Sequence, residues 1–372
     1  MKVVITVPWA RRLGGAETML ATFLRSIDRA RLQLVPVFFE HGPLVDEVAA
    51  LGFDVNVIPA GRLRQPLNIL RTVRSLARLL EREQPDLLLN WMAKTQLYGA
   101  CAALVAHRAD RVVWWQHTVS RRHWLDRFAT LLPARAVGCS SRHAAAAQAA
   151  TWPHRPVFVV HPGIEALAHS PEDDRRRRRA LLGIPSGRFV VGLVGRVEQG
   201  KRHDDFIDVV ASLVERGLPV QGLVVGGQLP GARPRAMDEL ERAVRRRGLE
   251  RTVTLTGHVP DARALIELMD VLVSVSSSEA FGIALLEAMA LGVPVVASAA
   301  AGPREIIEDG RSGLLVPAAR SDDVADAVQR VLDDGQLRER LRTGASDRFR
   351  THFGAERMAA DLETAISELC AA

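Results

Sequence analysis

The sequence predicts an α/β protein made of two doubly wound, Rossmann-like domains. Three observations carry that expectation. Short β-branched runs alternate with longer helical patterns along the whole chain of 372 residues, the signature of βαβ units on a parallel sheet. The alternation pauses once, near His161, Pro162 and Gly163, and then restarts. Hydrophobic residues at 48% and charged residues at 25% match an ordinary globular protein and exclude wholesale disorder.

In the first domain, 1–163, the expected strands are 3–7, 34–39, 55–58, 87–89, 112–115 and 157–160. The second domain, 164–354, opens with Glu172, Asp173 and Asp174 followed by five arginines, Arg175 to Arg179. Acids at a helix start and bases further in suit the helix dipole, so this run reads as a solvated helix face. Strands are expected at 189–194, 221–225, 252–255, 271–275, 293–296 and 314–316. A last helix, about 355–372, is expected to pack back on the first domain.

Composition narrows the function classes. Lys and Arg total 49 against 43 Asp and Glu, a net charge of +6, which suits an anionic partner. The cations are mixed with acids and few aromatics, which favours a phosphate or an anionic membrane surface over nucleic acid. Cys101, Cys139 and Cys370 lie too far apart for a disulfide framework or a zinc site, so a reducing cytoplasm is expected. The N-terminal run contains Pro8 and is followed by Arg11 and Arg12, and reads as a buried strand. The stretch 283–302 contains Glu287 and Pro294, so no transmembrane helix is expected.

Two stretches carry chemistry. Gly195, Arg196 and Gly200, Lys201 follow a strand and precede a helix, which makes a cradle for a phosphate or diphosphate. The letters fit GxxxxGK, but Arg202 stands where a P-loop needs Ser or Thr. Lys201 is one of only three lysines, with Lys2 and Lys94. The second stretch runs from Ser276, Ser277 and Ser278 through Glu279, Phe281, Gly282 and Ile283 to Glu287. Polar residues close a strand, a glycine lets a ligand approach the backbone, and a helix begins with its free N–H groups outward. Glu287 then sits in an apolar helix, where a carboxylate is costly unless paired or bonded to hydroxyls.

Glu279 and Glu287, with seven residues between them and Ala288, Met289, Ala290, Leu291, Gly292, Val293 and Pro294 after them, resemble the signature of retaining family 4 glycosyltransferases of GT-B fold. Gly14, Gly15, Ala16 and Glu17 extend the resemblance, as do Gly195, Arg196 and Lys201, and Gly302, Pro303 and Glu305 with Gly310 and Gly313. Two departures are Arg202, where the family usually has glycine, and His161-Pro162-Gly163 in place of Asn-Gly.

The resemblance implies two domains facing across a cleft. It also implies a hexosyltransferase moving sugar from a nucleoside-diphosphate sugar, as donor substrate and without a cofactor. In that reading Arg196 and Lys201 hold the diphosphate and Glu287 takes the ribose hydroxyls. Glu279 and the backbone of Phe281, Gly282 and Ile283 face the donor sugar. His258 and Val259 lie at the base, Gly15 approaches the phosphate, and His117 stands near the reacting sugar. The sequence has no DxD triplet to hold a divalent ion, and no metal ligand set is assigned. Arg11, Arg12, Lys94, Gln96, Arg121, Arg122, His123 and Trp124 are candidate acceptor contacts. The leading expectation is a cytoplasmic enzyme at the inner face of the membrane, glycosylating a saccharide or lipid-linked acceptor in polysaccharide or glycolipid biosynthesis. A soluble acceptor and a GT-B sugar-nucleotide epimerase are the alternatives.

Overall fold

The computed structural model describes residues 1–12, 14–61, 65–119, 124–228, 235–277, 279–317 and 320–371. Two compact units are present: Met1–Gly163 together with Ala355–Ala372, and Ile164–Gly354.

The first unit carries seven parallel strands: β1 (Lys2–Val7), β2 (Gln33–Phe38), β3 (Asn56–Val57), β4 (Leu87–Asn90), β5 (Val112–Gln116), β6 (Ala136–Cys139) and β7 (Val157–Val159). Their order is β3-β2-β1-β4-β5-β6-β7. The strands read as continuous apolar runs because both faces are covered. From β1, Val3, Ile5 and Val7 pack with Met19 and Leu20 of helix Gly15–Ser26 and with Met358 and Leu362 of helix Ala355–Ala371. Val4 packs on the opposite face with Val73, Leu76 and Leu80 of helix Pro66–Glu83.

The second unit carries β8 (Phe189–Val194), β9 (Val220–Val225), β10 (Val253–Leu255), β11 (Val271–Ser274), β12 (Val295–Ser298) and β13 (Leu314–Val316), in the order β10-β9-β8-β11-β12-β13. Val191 and Leu193 face Phe206 and Val210 of helix His203–Glu215, while Val190 and Leu272 face Leu286 and Met289 of helix Ile283–Ala290. The arginine run lies on helix Glu172–Leu181, which buries no residue and pairs Arg176 with Asp173 at 3.0 Å.

Two expected strands need correction and one strand is additional. β6 was not foreseen. It has no β-branched run, and a side chain at Gly138 would meet Trp115 Cε3 at 2.4 Å. β12 starts two residues later than expected, because Gly292 at φ +62° and Pro294 still belong to the turn after the helix. β3 shortens to two residues at the edge of its sheet.

Candidate active site

In both sheets the chain reverses direction of travel beside the first strand, between β1 and β4 and between β8 and β11. The carboxyl ends of strands at such a switch point leave a crevice where ligands bind. The predicted residues of the second unit collect there.

Lys201 follows β8 and Glu279 follows β11, and the Lys201 ammonium is ion-paired with the Glu279 carboxylate. Side-chain exposures of 20% and 15% make this a part-buried pair. The two loops are also joined through the backbone, where the Ser277 N–H donates to the Gly200 carbonyl at 3.1 Å. A third loop fixes Glu279 from behind: the Gly302 N–H donates to the Glu279 carbonyl at 3.1 Å. Only glycine fits there, since a Cβ on Gly302 would lie 2.2 Å from the Phe281 carbonyl oxygen. Ser278 lies outside the described residues.

Arg196 is not drawn into that pair. It is 45% exposed and its guanidinium bonds Glu198 of its own loop at 3.3 Å. The Phe281 ring is buried and packs edge-on to Phe353 at 5.9 Å, so only its backbone is left to face a ligand. Gly282, at φ +122°, turns the chain into helix Ile283–Ala290. The amides of Ile283 and Ala284 precede the first intrahelical bond, from Leu285 N–H to the Gly282 carbonyl at 3.0 Å.

Glu287 is part-buried in that helix, and its carboxylate makes no hydrogen bond or ion pair among the described residues. Burial pushes its carboxyl up to about 7; Arg263 opposes the rise and Asp261 adds to it. His258 is exposed beyond β10, and Val259 packs on the core beside it. Gly226 N–H bonds the Gly257 carbonyl at 3.1 Å, and a Cβ on Gly227 would lie 2.6 Å from the His258 nitrogen. The segments after β9 and β10 therefore run close together at the edge of this crevice.

In the first unit, Gly14 and Gly15 open helix Gly15–Ser26 after β1. Trp91, directly after β4, reaches across the switch point and donates its indole N–H to the Ala16 carbonyl at 2.9 Å. The same indole packs on the His117 ring at 4.8 Å and stacks on Trp115 at 5.3 Å. Burial holds the His117 imidazole down to about 3, against a smaller pull from the Trp91 backbone, so the ring is neutral.

Among the acceptor candidates, Gln96 is a correction. It is fully buried, accepts from Asn90 Nδ2 at 2.9 Å and donates to the Pro133 carbonyl at 3.0 Å, so it braces the core. Arg12 is bonded to Glu47 (Nε to Oε2, 3.2 Å), and Arg11 is exposed. Lys94 is part-buried, and burial lowers its pKa while Glu40 opposes. Arg121, Arg122 and His123 lie outside the described residues, and Trp124 begins helix Trp124–Leu131.

Sequence reading missed two groups. Ser140, after β6, touches His117. His203, at the start of helix His203–Glu215, is buried behind the Lys201 loop without a well-formed hydrogen bond to either ring nitrogen. Burial lowers its pKa to about 4, the Gly195 backbone opposes, and Lys201 adds to the fall. Among the described residues no three of His, Cys, Asp and Glu stand together as a metal site.

Comparison with known proteins identifies the family and the fold. The model for "Glycosyltransferase Family 4" matches residues 13–166, and that for "Glycosyl transferases group 1" matches 174–348. The chain is similar to alpha-D-kanosaminyltransferase of Streptomyces kanamyceticus, 38% identical over 178 residues, 46% of this chain and 45% of that one. It is also similar to D-inositol 3-phosphate glycosyltransferase of Corynebacterium aurimucosum, 36% identical over 197 residues, 51% of this chain and 46% of that one. The chain thus spans about half the length of the curated relatives it matches. The crystal structure of Anabaena Alr3699/HepE in complex with UDP-glucose matches at a TM-score of 0.85 and 25% identity, over 99% of this chain and 100% of that one.

Proposed function

Since this chain belongs to the family 4, group 1 glycosyltransferases and has their GT-B fold, we propose that it transfers a hexose from a nucleoside-diphosphate sugar to a saccharide or lipid-linked acceptor, with retention and without a metal. The observation that carries the reading is Glu287, a part-buried carboxylate with no hydrogen bond or ion pair among the described residues, on the helix that follows Glu279 of the Lys201–Glu279 pair. A buried acid left unbonded is costly, and a ribose diol supplies the two hydroxyl donors it lacks.

The chemistry follows from charge. Cleaving the bond between the anomeric carbon and the diphosphate oxygen leaves negative charge on the leaving group. Lys201, Arg196 and the free amides of Ile283 and Ala284 stabilise it. The acceptor hydroxyl attacks the anomeric carbon on the face the diphosphate leaves, and its proton passes to the departing phosphate oxygen. Glu279 serves the sugar end. From the first unit, His117 and Gly15 are assigned to the sugar and the phosphate, and His258 and Val259 of the second to the base. The UDP-glucose in the Anabaena structure makes that compound the first donor to try.

We assign the acceptor to polysaccharide or glycolipid assembly, with peripheral contact to an anionic membrane. No helix among the described residues is long and apolar enough to cross one. On helix Pro66–Glu83, Leu67 and Leu70 are exposed in line with Arg71, Arg74 and Arg78, an apolar-basic stripe that supports the assignment.

The test incubates the protein with a panel of nucleotide sugars, with and without membrane extract, and follows nucleotide release and products. Acceptor-dependent release with a new glycoside is expected. Conversion of one sugar nucleotide into its epimer, or binding without release, would overturn the reading.

A further inference from the structure

Ser140 sits at the end of β6, 3% exposed, with three polar neighbours. The Trp115 indole N–H donates to its hydroxyl oxygen at 3.3 Å. His117 Nδ1 lies 3.3 Å from the same oxygen, and the Met19 thioether lies at 3.9 Å. A hydroxyl has one proton to give and an indole nitrogen can only donate, so the Ser140 proton goes either to His117 Nδ1 or to Met19 Sδ. An imidazole nitrogen is the stronger acceptor, and it is closer. Nδ1 therefore carries the lone pair. In a neutral ring the proton must then be on Nε2, and the Trp91 backbone also favours a protonated ring nitrogen. Nε2 is buried and has no hydrogen bond of good geometry.

We propose that Ser140 is a positioning residue that fixes the neutral His117 ring in the Nε2–H tautomer, with Nδ1 held as the acceptor of the Ser140 proton. The proposal rests on the glycosyl-transfer reading for its effect on turnover, while the tautomer stands on the local geometry. Trp115 completes the device: by occupying one lone pair of Ser140 it turns the hydroxyl proton toward His117. An imidazole held this way has no free lone pair with which to take a proton from the acceptor.

The experiment labels the full chain with 15N-histidine and records two-bond proton–nitrogen correlations at neutral pH, assigning His117 by its loss in His117→Gln. A pyridine-like Nδ1 beside a protonated Nε2 is expected in the wild type; a protonated Nδ1 overturns the proposal whatever the protein catalyses. In Ser140→Ala the two tautomers are expected to mix, with turnover falling about tenfold and nucleoside-diphosphate affinity unchanged. In Ser140→Thr, which keeps the hydroxyl, the Nε2–H form is expected to return. A pure Nε2–H spectrum in a folded Ser140→Ala protein overturns the role of Ser140. If the spectra behave as expected but no nucleotide sugar is turned over by the wild type, the tautomer stands and the transferase reading fails.

Discussion

Lys201 and Glu279, 78 positions apart in the chain, form a part-buried ion pair across the two strands where the second sheet changes direction. The pair keeps both charges satisfied before a ligand arrives. In the proposed function a diphosphate would compete with Glu279 for the same ammonium, so donor binding would loosen the carboxylate assigned to the sugar end.

Removing the cation therefore has two effects. Lys201→Ala loses a charge-assisted contact of about 1.5 to 3 kcal/mol to the leaving group, so transfer should slow on the order of ten- to a hundredfold. It also strands Glu279, so the double variant Lys201→Ala with Glu279→Ala should lose less than the sum of the two single losses. Steady-state kinetics on the three proteins checks both; a Lys201→Ala enzyme with wild-type turnover would exclude the diphosphate role.

The two glutamates should separate by assay. Glu287→Ala is expected to weaken binding of the free nucleoside diphosphate as well as the donor, because ribose contacts are the same in substrate and product. Glu279→Ala should spare the nucleotide, since it releases Lys201 from its partner, and should lower turnover. Calorimetric titration beside kinetics reads the split, and the reverse pattern would exchange the two assignments.

Acidity adds a second handle on Glu287, whose folded pKa is raised from 4.5 to about 7. If Glu287 takes the ribose hydroxyls as proposed, its ionised form is the better acceptor, so nucleoside-diphosphate affinity should climb as pH rises through 7. That dependence should shrink in Glu287→Gln, the titration of the diphosphate being common to both proteins. Stability runs the other way. The folded state holds this proton more tightly than the unfolded one, so the associated stabilisation is complete below 4.5 and is lost as pH rises through 7. Above that pH, Glu287→Gln should melt higher than the wild type. An unchanged melting difference from pH 5 to pH 8 would show that Glu287 titrates normally.

Chelation is a direct check on the charge argument. With Lys201 and Arg196 supplying the positive charge, EDTA should leave transfer largely intact. Complete loss restored by magnesium or manganese would assign the leaving-group role to a metal.

Gly302 offers a test by steric means. A methyl group there meets the Phe281 carbonyl oxygen, a backbone atom that has no rotamer to escape into. Gly302→Ala should displace the Glu279 loop, lowering turnover and costing about 1 to 3 kcal/mol of stability. Thermal melts and kinetics that both match the wild type would mean the loop has slack to absorb it.

The strands buried on both faces were legible because covering them demands continuous Val, Leu and Ile, as in β1 and β8. β6 was not, because packing against Trp115 requires the small residue that weakens its strand signal. Gln96 illustrates the opposite error. A polar residue near a strand end suggests ligand contact, and only the fold reveals that Asn90 and the Pro133 carbonyl already satisfy it. Glu287 could be singled out from sequence because its apolar helix has no other charge, whereas the partnership of Lys201 with Glu279 depends on strands far apart in the chain, and that of Ser140 with His117 on the pairing of β5 with a strand that has no β-branched run.

The helix Ala355–Ala371 lays Met358, Ala359, Leu362 and Ile366 into the same core as Met19, Leu20 and Val3. During synthesis the ribosome delivers the first unit's sheet early and the helix that covers it last, after the whole of Ile164–Gly354 has emerged. The second unit can close while the first still waits with an apolar face open, so the order of completion is the reverse of the order of translation. Until that helix docks, the nascent first unit exposes apolar surface of the kind that favours aggregation.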